Sequence, residues 1–179
     1  EPGSGRAGGG GMRQRHLGLL VSLKLKGREK PICGLVASFN ENWMLLKNNT
    51  VDYVIDGFVI VRADVVKSLK RGKKQEFVDR VIRSKGVSVE AGDAIPLGEL
   101  EDILTYLTTR FGVFSIENRS GTACNLCRFK ERKESSFTFD TMNPKGEWDG
   151  QLTLDYDKIK VVEFESDYIK SLKAFSLTI

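Results

Sequence analysis

Short runs of alternating apolar and polar residues dominate the chain and predict β-strands. Five runs rich in β-branched and aromatic residues, separated by Gly, Asn and Asp, occupy the first half, and five more occupy the second. Five strands within about 55 residues leave no room for helical crossovers, so we expect hairpin connections. The predicted strands cover residues 17–25, 32–39, 43–47, 57–62, 65–71, 111–118, 123–132, 136–141, 151–155 and 159–165.

Three segments instead place apolar residues at helical spacing. The segment 74–83 brings Phe77, Val78, Val81 and Ile82 to one face, and the segment 98–110 does the same with four aliphatic residues. A third segment, 167–173, follows the last predicted strand. The pattern therefore predicts a mainly β chain with short helices.

The two sets of strands resemble each other. A shift of 93 residues places residues 19–71 on residues 112–164 without a gap, so that LLVSLKL falls on GVFSIEN and GFVIVRAD falls on GQLTLDYD. Few residues are identical, but the order of apolar runs and turns is kept. Such self-similarity predicts an internal duplication.

Two segments of the first half resemble the signatures of Sm-like (Lsm-type) proteins. Residues 34–46, GLVASFNENWMLL, resemble the first signature, and residues 61–66, VRADVV, resemble the second. The chain is similar to a divergent tandem Sm-like protein of a bacterial family. This resemblance implies two five-stranded, strongly bent antiparallel barrels of the Sm-like or SH3-like type, joined by a helical linker.

The resemblance also divides the chain. Residues 1–14 are expected to be a disordered Gly-rich leader. The alternative is that residues 1–11 are foreign to the protein and that its own start is Met12. Residues 15–86 would form the first barrel with a C-terminal helix. Residues 87–179 would form an N-terminal helix with the second barrel.

Proteins of this family form rings by pairing strand four with strand five of the next subunit, and they bind single-stranded RNA between the two signatures. The signatures are incomplete here, because Asn40 and Met44 stand where the first has Asp and Asn, and Ala63 and Val65 stand where the second has Gly and Asn. Arg62 and Asp64 remain. In the second half nothing of the RNA pocket is left.

Charge is distributed unevenly. Residues 1–86 hold 17 Lys and Arg against 8 Asp and Glu, whereas residues 87–179 hold 11 against 16. A basic stretch between Lys67 and Lys85 indicates a surface for phosphate groups. The alternatives are solvated side chains, or a contact with the acidic half across a domain or subunit boundary.

These observations give a set of candidate nucleic-acid-binding residues. Phe39 and Trp43 flank the turn at Asn40 and could stack on bases beside Arg62, although core packing is the competing interpretation. The full set is Phe39, Asn40, Trp43, Arg62, Lys67, Lys70, Arg71, Lys73, Lys74, Arg80 and Arg83.

Catalytic and metal chemistry find little support. Cys124 and Cys127 form a CxxC pair inside a predicted strand, where alternation puts one thiol in the core and the other outside. The single histidine, His16, is next to the leader, and no carboxylate pair has a nucleophile near it in sequence. We therefore predict no enzyme, no cofactor and no metal site.

The predicted function is a cytoplasmic binding module with reduced thiols and no membrane span, because its apolar runs are far shorter than the roughly 20 residues a spanning helix needs. The expected partner is RNA or another single-stranded nucleic acid, bound by the basic first half. The alternative is a protein–protein interaction or self-assembly module, either with another protein or as a homo-oligomer. It would act through exposed edge strands and the opposite charges of the two halves.

Overall fold

The structure, a computed structural model, describes residues 11–88, 95–117 and 124–179. These residues contain ten strands and three α-helices. The strands are β1 (Leu20–Leu25), β2 (Ile32–Phe39), β3 (Trp43–Val51), β4 (Val54–Arg62), β5 (Val66–Lys70), β6 (Phe114–Glu117), β7 (Cys124–Lys133), β8 (Ser136–Met142), β9 (Trp148–Asp155) and β10 (Val161–Phe164). The helices are α1 (Lys73–Ser84), α2 (Leu100–Phe111) and α3 (Asp167–Ser176). The prediction of a mainly β chain with short helices is confirmed.

One predicted hairpin is longer than the sequence pattern indicates. The pattern predicts strands over 43–47 and 57–62, but β3 continues to Val51 and β4 begins at Val54, with a two-residue turn between them. Asp52 has φ 44°, a left-handed conformation that Asp tolerates better than most residues. The outer ends of these two strands extend beyond the core. Because many of their residues are polar, the sequence shows no apolar alternation there that would predict a strand.

All ten strands belong to one open antiparallel sheet, in the order β5-β1-β2-β3-β4-β10-β6-β7-β8-β9. The two halves meet where β4 pairs with β10, with Val61 opposite Val161 and Phe58 opposite Phe164. We call this pairing the central junction. The sequence pattern did not predict it, and the finer division into two barrels remains a prediction.

Strand pairing in the second half follows that in the first at an offset of 93 residues. Ser22 on β1 pairs with Lys70, and Ser115 on β6 pairs with Glu163. The bulge between Val36 and Ser38 on β2 has its counterpart between Phe129 and Glu131 on β7. Short 3₁₀ turns also correspond, at Ala63–Val65 and Tyr156–Lys158.

The largest apolar cluster spans both halves. Trp43 and Ile60 of the first half pack in one cluster with Ile103 and Leu107 of α2 and with Phe139 of β8. The other two helices pack in two smaller apolar clusters. Ile82 of α1 packs with Leu20 and Leu35, and Ile169 of α3 packs with Leu126 and Met142. Helix α2 therefore ties the first half to the second through a common core.

The first residues of the described chain also contact this framework. Met12 packs against the cluster around β1 and β4, and Gln14–His16 form a 3₁₀ turn. Residues 1–10 of the predicted leader lie outside the described residues. Among the described helices, none is both long and apolar enough to cross a membrane.

Candidate nucleic-acid interface

Trp43 and Arg62, two of the predicted binding residues, are paired across β3 and β4 beside the central junction. Trp43 is 2% exposed and Arg62 is 4% exposed. The Arg62 guanidinium lies 4.0 Å from the centre of the Tyr156 ring and 5.4 Å from the Trp43 ring, and it donates hydrogen bonds to the carbonyls of Tyr156 and Ile159. Both side chains are thus enclosed by the second half and do not form an exposed rim.

Asn40 is likewise used in folding. Its Oδ1 accepts hydrogen bonds of 2.8 Å from the backbone N–H groups of Asn42 and Trp43, and its Nδ2 donates to the Leu97 carbonyl. This arrangement fixes the β2–β3 turn. Phe39 is partly buried against the first-half core. The predicted stacking pair of Phe39 and Trp43 is therefore a packing feature, as the competing interpretation held.

Arg71 and Arg83 surround a buried carboxylate. Arg71 Nη1 lies 2.9 Å from Asp79 Oδ2, Arg83 Nε bonds to the other oxygen, and the Leu20 N–H also donates at 2.9 Å. Burial acts to raise the pKa of Asp79, but the hydrogen bonds and charges of its partners outweigh burial, and the pKa lies below its ordinary value. These two arginines primarily anchor α1 to β1.

The remaining basic candidates are exposed and form two groups. Lys67 and Lys70 project from β5, at the edge of the sheet. Lys73, Lys74 and Arg80 lie on α1. Within the described ranges none of the five has a carboxylate at ion-pair distance, so their charges are left uncompensated by the rest of the fold.

An aromatic pair that the sequence pattern missed lies beside the second group. Phe77 of α1 is 50% exposed and Tyr53 of the β3–β4 turn is 37% exposed, with ring centroids 6.2 Å apart at an angle of 75°. Lys85 Nζ donates to the Tyr53 carbonyl at 2.9 Å, which fixes the turn against the helix. The apolar helical face predicted to bury Phe77 is narrower than expected, because Ile82 alone of its four members is fully buried.

The spacing of residues along α1 places the Phe77 ring beside basic side chains. Lys73 and Arg80 lie four residues before and three residues after Phe77, so all three share one side of the helix. Tyr53 and Lys74 line a hollow of about 370 Å³ between α1 and the β3–β4 hairpin. We call the surface formed by Tyr53, Lys73, Lys74, Phe77, Arg80 and Lys85 the basic face.

The two thiols of the CxxC pair lie on opposite sides of β7, as strand alternation predicted. Cys127 is buried and Cys124 is exposed at the strand start. Partial burial, together with the charges of Glu163 and Glu117, raises the pKa of Cys124 to about 11, and burial raises the pKa of Cys127 further. Both are therefore protonated at neutral pH and poorly nucleophilic.

Other chemistry is sparse across the part of the chain that the structure describes. No group of three or more His, Cys, Asp and Glu side chains is arranged there to hold a metal ion. His16 is buried, and its Nδ1 accepts a hydrogen bond of 2.9 Å from the Arg13 N–H. Burial and the neighbouring arginines lower its pKa.

Comparisons with protein-family models, curated proteins and solved structures give no match for this chain. The function must therefore be inferred from the geometry of the chain itself.

Proposed function

We propose that the chain is a non-enzymatic module that binds single-stranded nucleic acid, RNA included, through the basic face. The observation that carries this proposal is the exposed Tyr53–Phe77 pair set among uncompensated cations. Proteins that bind single strands combine a positively charged track for the backbone with rings on which bases stack. The basic face offers both elements on one side of one helix.

The chemistry divides between the two kinds of residue. Lys73, Lys74 and Arg80 would neutralise phosphates and release counterions, which gives affinity without sequence preference. Phe77 and Tyr53 would take one or two bases, since any base can stack on a ring. Nothing on this face offers a fixed donor and acceptor pattern for one base, so we expect weak sequence discrimination.

The repeated strand register supports a related proposal about ancestry. We infer that each half is one Sm-like unit, because the order of five strands, the bulge and the 3₁₀ turn recur at the offset of 93 residues. Binding between the two signatures is not part of the proposal. Trp43 and Arg62, which lie there, are already enclosed by Tyr156 and its neighbours.

Fluorescence anisotropy with a labelled single-stranded oligonucleotide of about 12 nucleotides tests this function, since one such module covers roughly 4–16 nucleotides. Nuclease-treated wild-type protein should bind, and log affinity should fall linearly with log salt, by a slope of about −0.7 for each phosphate contacted. Binding that does not depend on salt, or no binding at low salt, would refute the proposal.

Variants locate the site. Phe77→Ala should weaken binding about tenfold at constant salt, because a stacked base contributes roughly 1–3 kcal/mol. Lys74→Ala should weaken binding and reduce the salt slope by about one phosphate. The matched controls are Phe175→Ala and Lys170→Ala on α3, which are also exposed but lie in the acidic half. Equal losses in the controls would place the binding surface elsewhere.

A further inference from the structure

A cleft of about 590 Å³ crosses the central junction on the side of the sheet that carries α3. Val162 and Phe164 of β10 pack in the cluster of α2, so strand alternation points Glu163, which lies between them, to the opposite side. The β3–β4 hairpin lines the cleft from the first half, and β6, β7, β8 and α3 line it from the second. We call this space the junction cleft. Its volume is in the range of small-molecule sites, roughly 300–1,000 Å³.

Part of the lining is apolar. Leu126, Met142 and Ile169, which pack with one another, contribute to it together with Pro144 and the ring of Tyr168. We call these five residues the apolar wall. Tyr168 is 58% exposed, so its ring offers free area on which an apolar or aromatic group can pack.

The polar part of the lining is acidic. Glu163 and Asp56 contribute carboxyl groups, and no lysine, arginine or histidine lines the cleft among the residues that the structure describes. Asp56 Oδ1 accepts a hydrogen bond of 2.8 Å from the Asp167 N–H. Glu163 accepts no hydrogen bond within the same part of the chain. The junction cleft therefore contains a carboxyl group that lacks a donor.

The charges around Glu163 are mostly negative. Burial raises its pKa and Glu117 of β6 raises it further, whereas Arg28 of the β1–β2 turn lowers it and Asp56 of β4 raises it again. Arg28 is shared, because its guanidinium bonds to Glu117 at 3.0 Å. Cys124 of β7 is a neutral thiol at neutral pH and adds no positive charge. The fold thus supplies little positive charge to this carboxyl group.

We propose that the junction cleft binds a small organic amine, with its ammonium group at Glu163 and Asp56 and its hydrocarbon body on the apolar wall. The ammonium group would donate charge-assisted hydrogen bonds to both carboxylates. The hydrocarbon body would cover the Tyr168 ring and leave water. Since Asp56 belongs to the first half and the apolar wall to the second, the bound amine contacts both sides of the central junction.

Other ligand classes match this lining less well. An anion would meet two carboxyl groups and no cation. A calcium ion takes about six to eight oxygen ligands, and the described residues hold no group of three or more His, Cys, Asp and Glu side chains arranged for a metal ion. A neutral ligand would leave the carboxylates without a countercharge in a partly dry site, which is unfavourable.

Isothermal titration calorimetry with 4-phenylbutylamine tests the proposal. This amine should bind one site per chain with a dissociation constant of about 1 mM or tighter, as its size allows. Two relatives separate the contributions. 4-Phenylbutanol keeps the body without the charge, butylamine keeps the charge without the ring, and each should bind at least about tenfold more weakly.

A lysine side chain from another protein carries the same ammonium group, and a further titration distinguishes this source. Nα-acetyl-lysine amide should bind more weakly than 4-phenylbutylamine, because its backbone amides find no apolar contact. Binding of the lysine amide alone, or binding of the alcohol as tightly as the amine, would overturn the proposal.

Variants place the ammonium group. Glu163→Gln and Asp56→Asn keep the shape of each side chain and remove its charge, and Asn at position 56 retains an oxygen for the Asp167 N–H. Each should weaken binding of 4-phenylbutylamine at least about tenfold. Glu29→Gln, an exposed carboxylate outside the cleft, is the matched control and should have no effect. Unchanged affinity in Glu163→Gln would mean that the amine binds elsewhere.

The wild-type chain gives a test that needs no substitution. Because a proton on Glu163 removes its charge, protonation competes with the ammonium group, and the amine should bind more weakly at about pH 5 than at about pH 8. The alkylamine itself stays charged at both values, since its pKa resembles that of lysine, about 10.4. An affinity that does not change between these values would contradict the assignment.

This proposal and the proposed function can fail separately, because the junction cleft and the basic face share no residue. Phe77→Ala should leave amine binding unchanged, and Glu163→Gln should still bind the oligonucleotide. A chain that binds the oligonucleotide but no amine would overturn the junction cleft as a site and leave the proposed function standing.

Discussion

At the residue scale, one partly buried carboxyl group lies in the central junction. Glu163 on β10 faces Val59 on one neighbouring strand and Ser115 on the other. Burial raises its pKa above the ordinary value, and the nearby Glu117 raises it further. Arg28 opposes this effect, but its guanidinium is engaged with Glu117 at 3.0 Å. The folded chain thus holds the Glu163 proton more tightly than the unfolded chain does.

The sign of the resulting pH dependence follows directly. Stability from this group is fully present below the unfolded value of about 4.5 and is lost as pH rises through the higher folded value. Glu163→Gln should therefore raise the unfolding midpoint temperature at pH 7 and leave it almost unchanged at about pH 3.5. Thermal unfolding followed by circular dichroism at both pH values measures this, with the exposed Glu29→Gln as control. A variant less stable than wild type at neutral pH would contradict the expectation.

At the element scale, β4 and β10 approach so closely that one position excludes a side chain. Gly57 has φ 69°, and a Cβ there would lie 2.6 Å from the Ser166 nitrogen and 2.7 Å from the Phe164 carbonyl oxygen. Gly27 has a similar φ of 73°, but a Cβ at that position would have no other atom within 4 Å. Substitutions at these two glycines therefore separate the cost of the left-handed backbone conformation from the cost of the close contact at the central junction.

Gly57→Ala should reduce the free energy of unfolding by about 2–4 kcal/mol, because backbone strain and overpacking add. Gly27→Ala should reduce the free energy of unfolding by about 1 kcal/mol, because it adds backbone strain but no overpacking. Urea denaturation of both variants gives the difference. Equal losses would mean that the junction can move to accommodate a methyl group, and that it is a looser contact than its geometry indicates.

Local pattern was enough to predict that each strand exists, but not where β3 ends and β4 begins. The β-branched run Ile32–Phe39 has the predicted bounds, and the aliphatic face of Gly98–Arg110 became α2 with small changes at its ends. The pairing of β4 with β10 joins residues about a hundred positions apart and leaves no periodicity in either strand. The partner of an edge strand could not be derived from alternation alone.

The candidate site was harder to predict for the same reason. Arg62 looks like a free cation in sequence, but Tyr156 and Ile159 enclose it from the other half. Phe77 looks like a core residue in a helical pattern, but the buried face of α1 centres on Ile82 and leaves the ring outside. Local sequence gives a residue's chemistry, and contacts distant in sequence decide whether that chemistry is available.

At the scale of the whole molecule, the shared core should make the two halves unfold together. Trp43 and Ile60 pack in one cluster with α2 and the second-half strands. Separating the halves would expose this cluster and break the β4–β10 hydrogen bonds at once. Each half alone would keep only a modest core, since a unit of about 80 residues buries a smaller share of its surface than one twice as long.

The two tryptophans allow this cooperativity to be measured, because the sequence has only Trp43 and Trp148. Trp43 lies in the shared cluster, whereas Trp148 packs beside α3 in the second half. Trp148→Phe leaves the first reporter and Trp43→Phe leaves the second. Within each variant, urea unfolding followed by fluorescence and by circular dichroism should give the same midpoint. Since each variant is compared with itself, any loss of stability from the substitution cancels. A fluorescence midpoint separated from the circular dichroism midpoint in either variant would show that the halves unfold independently.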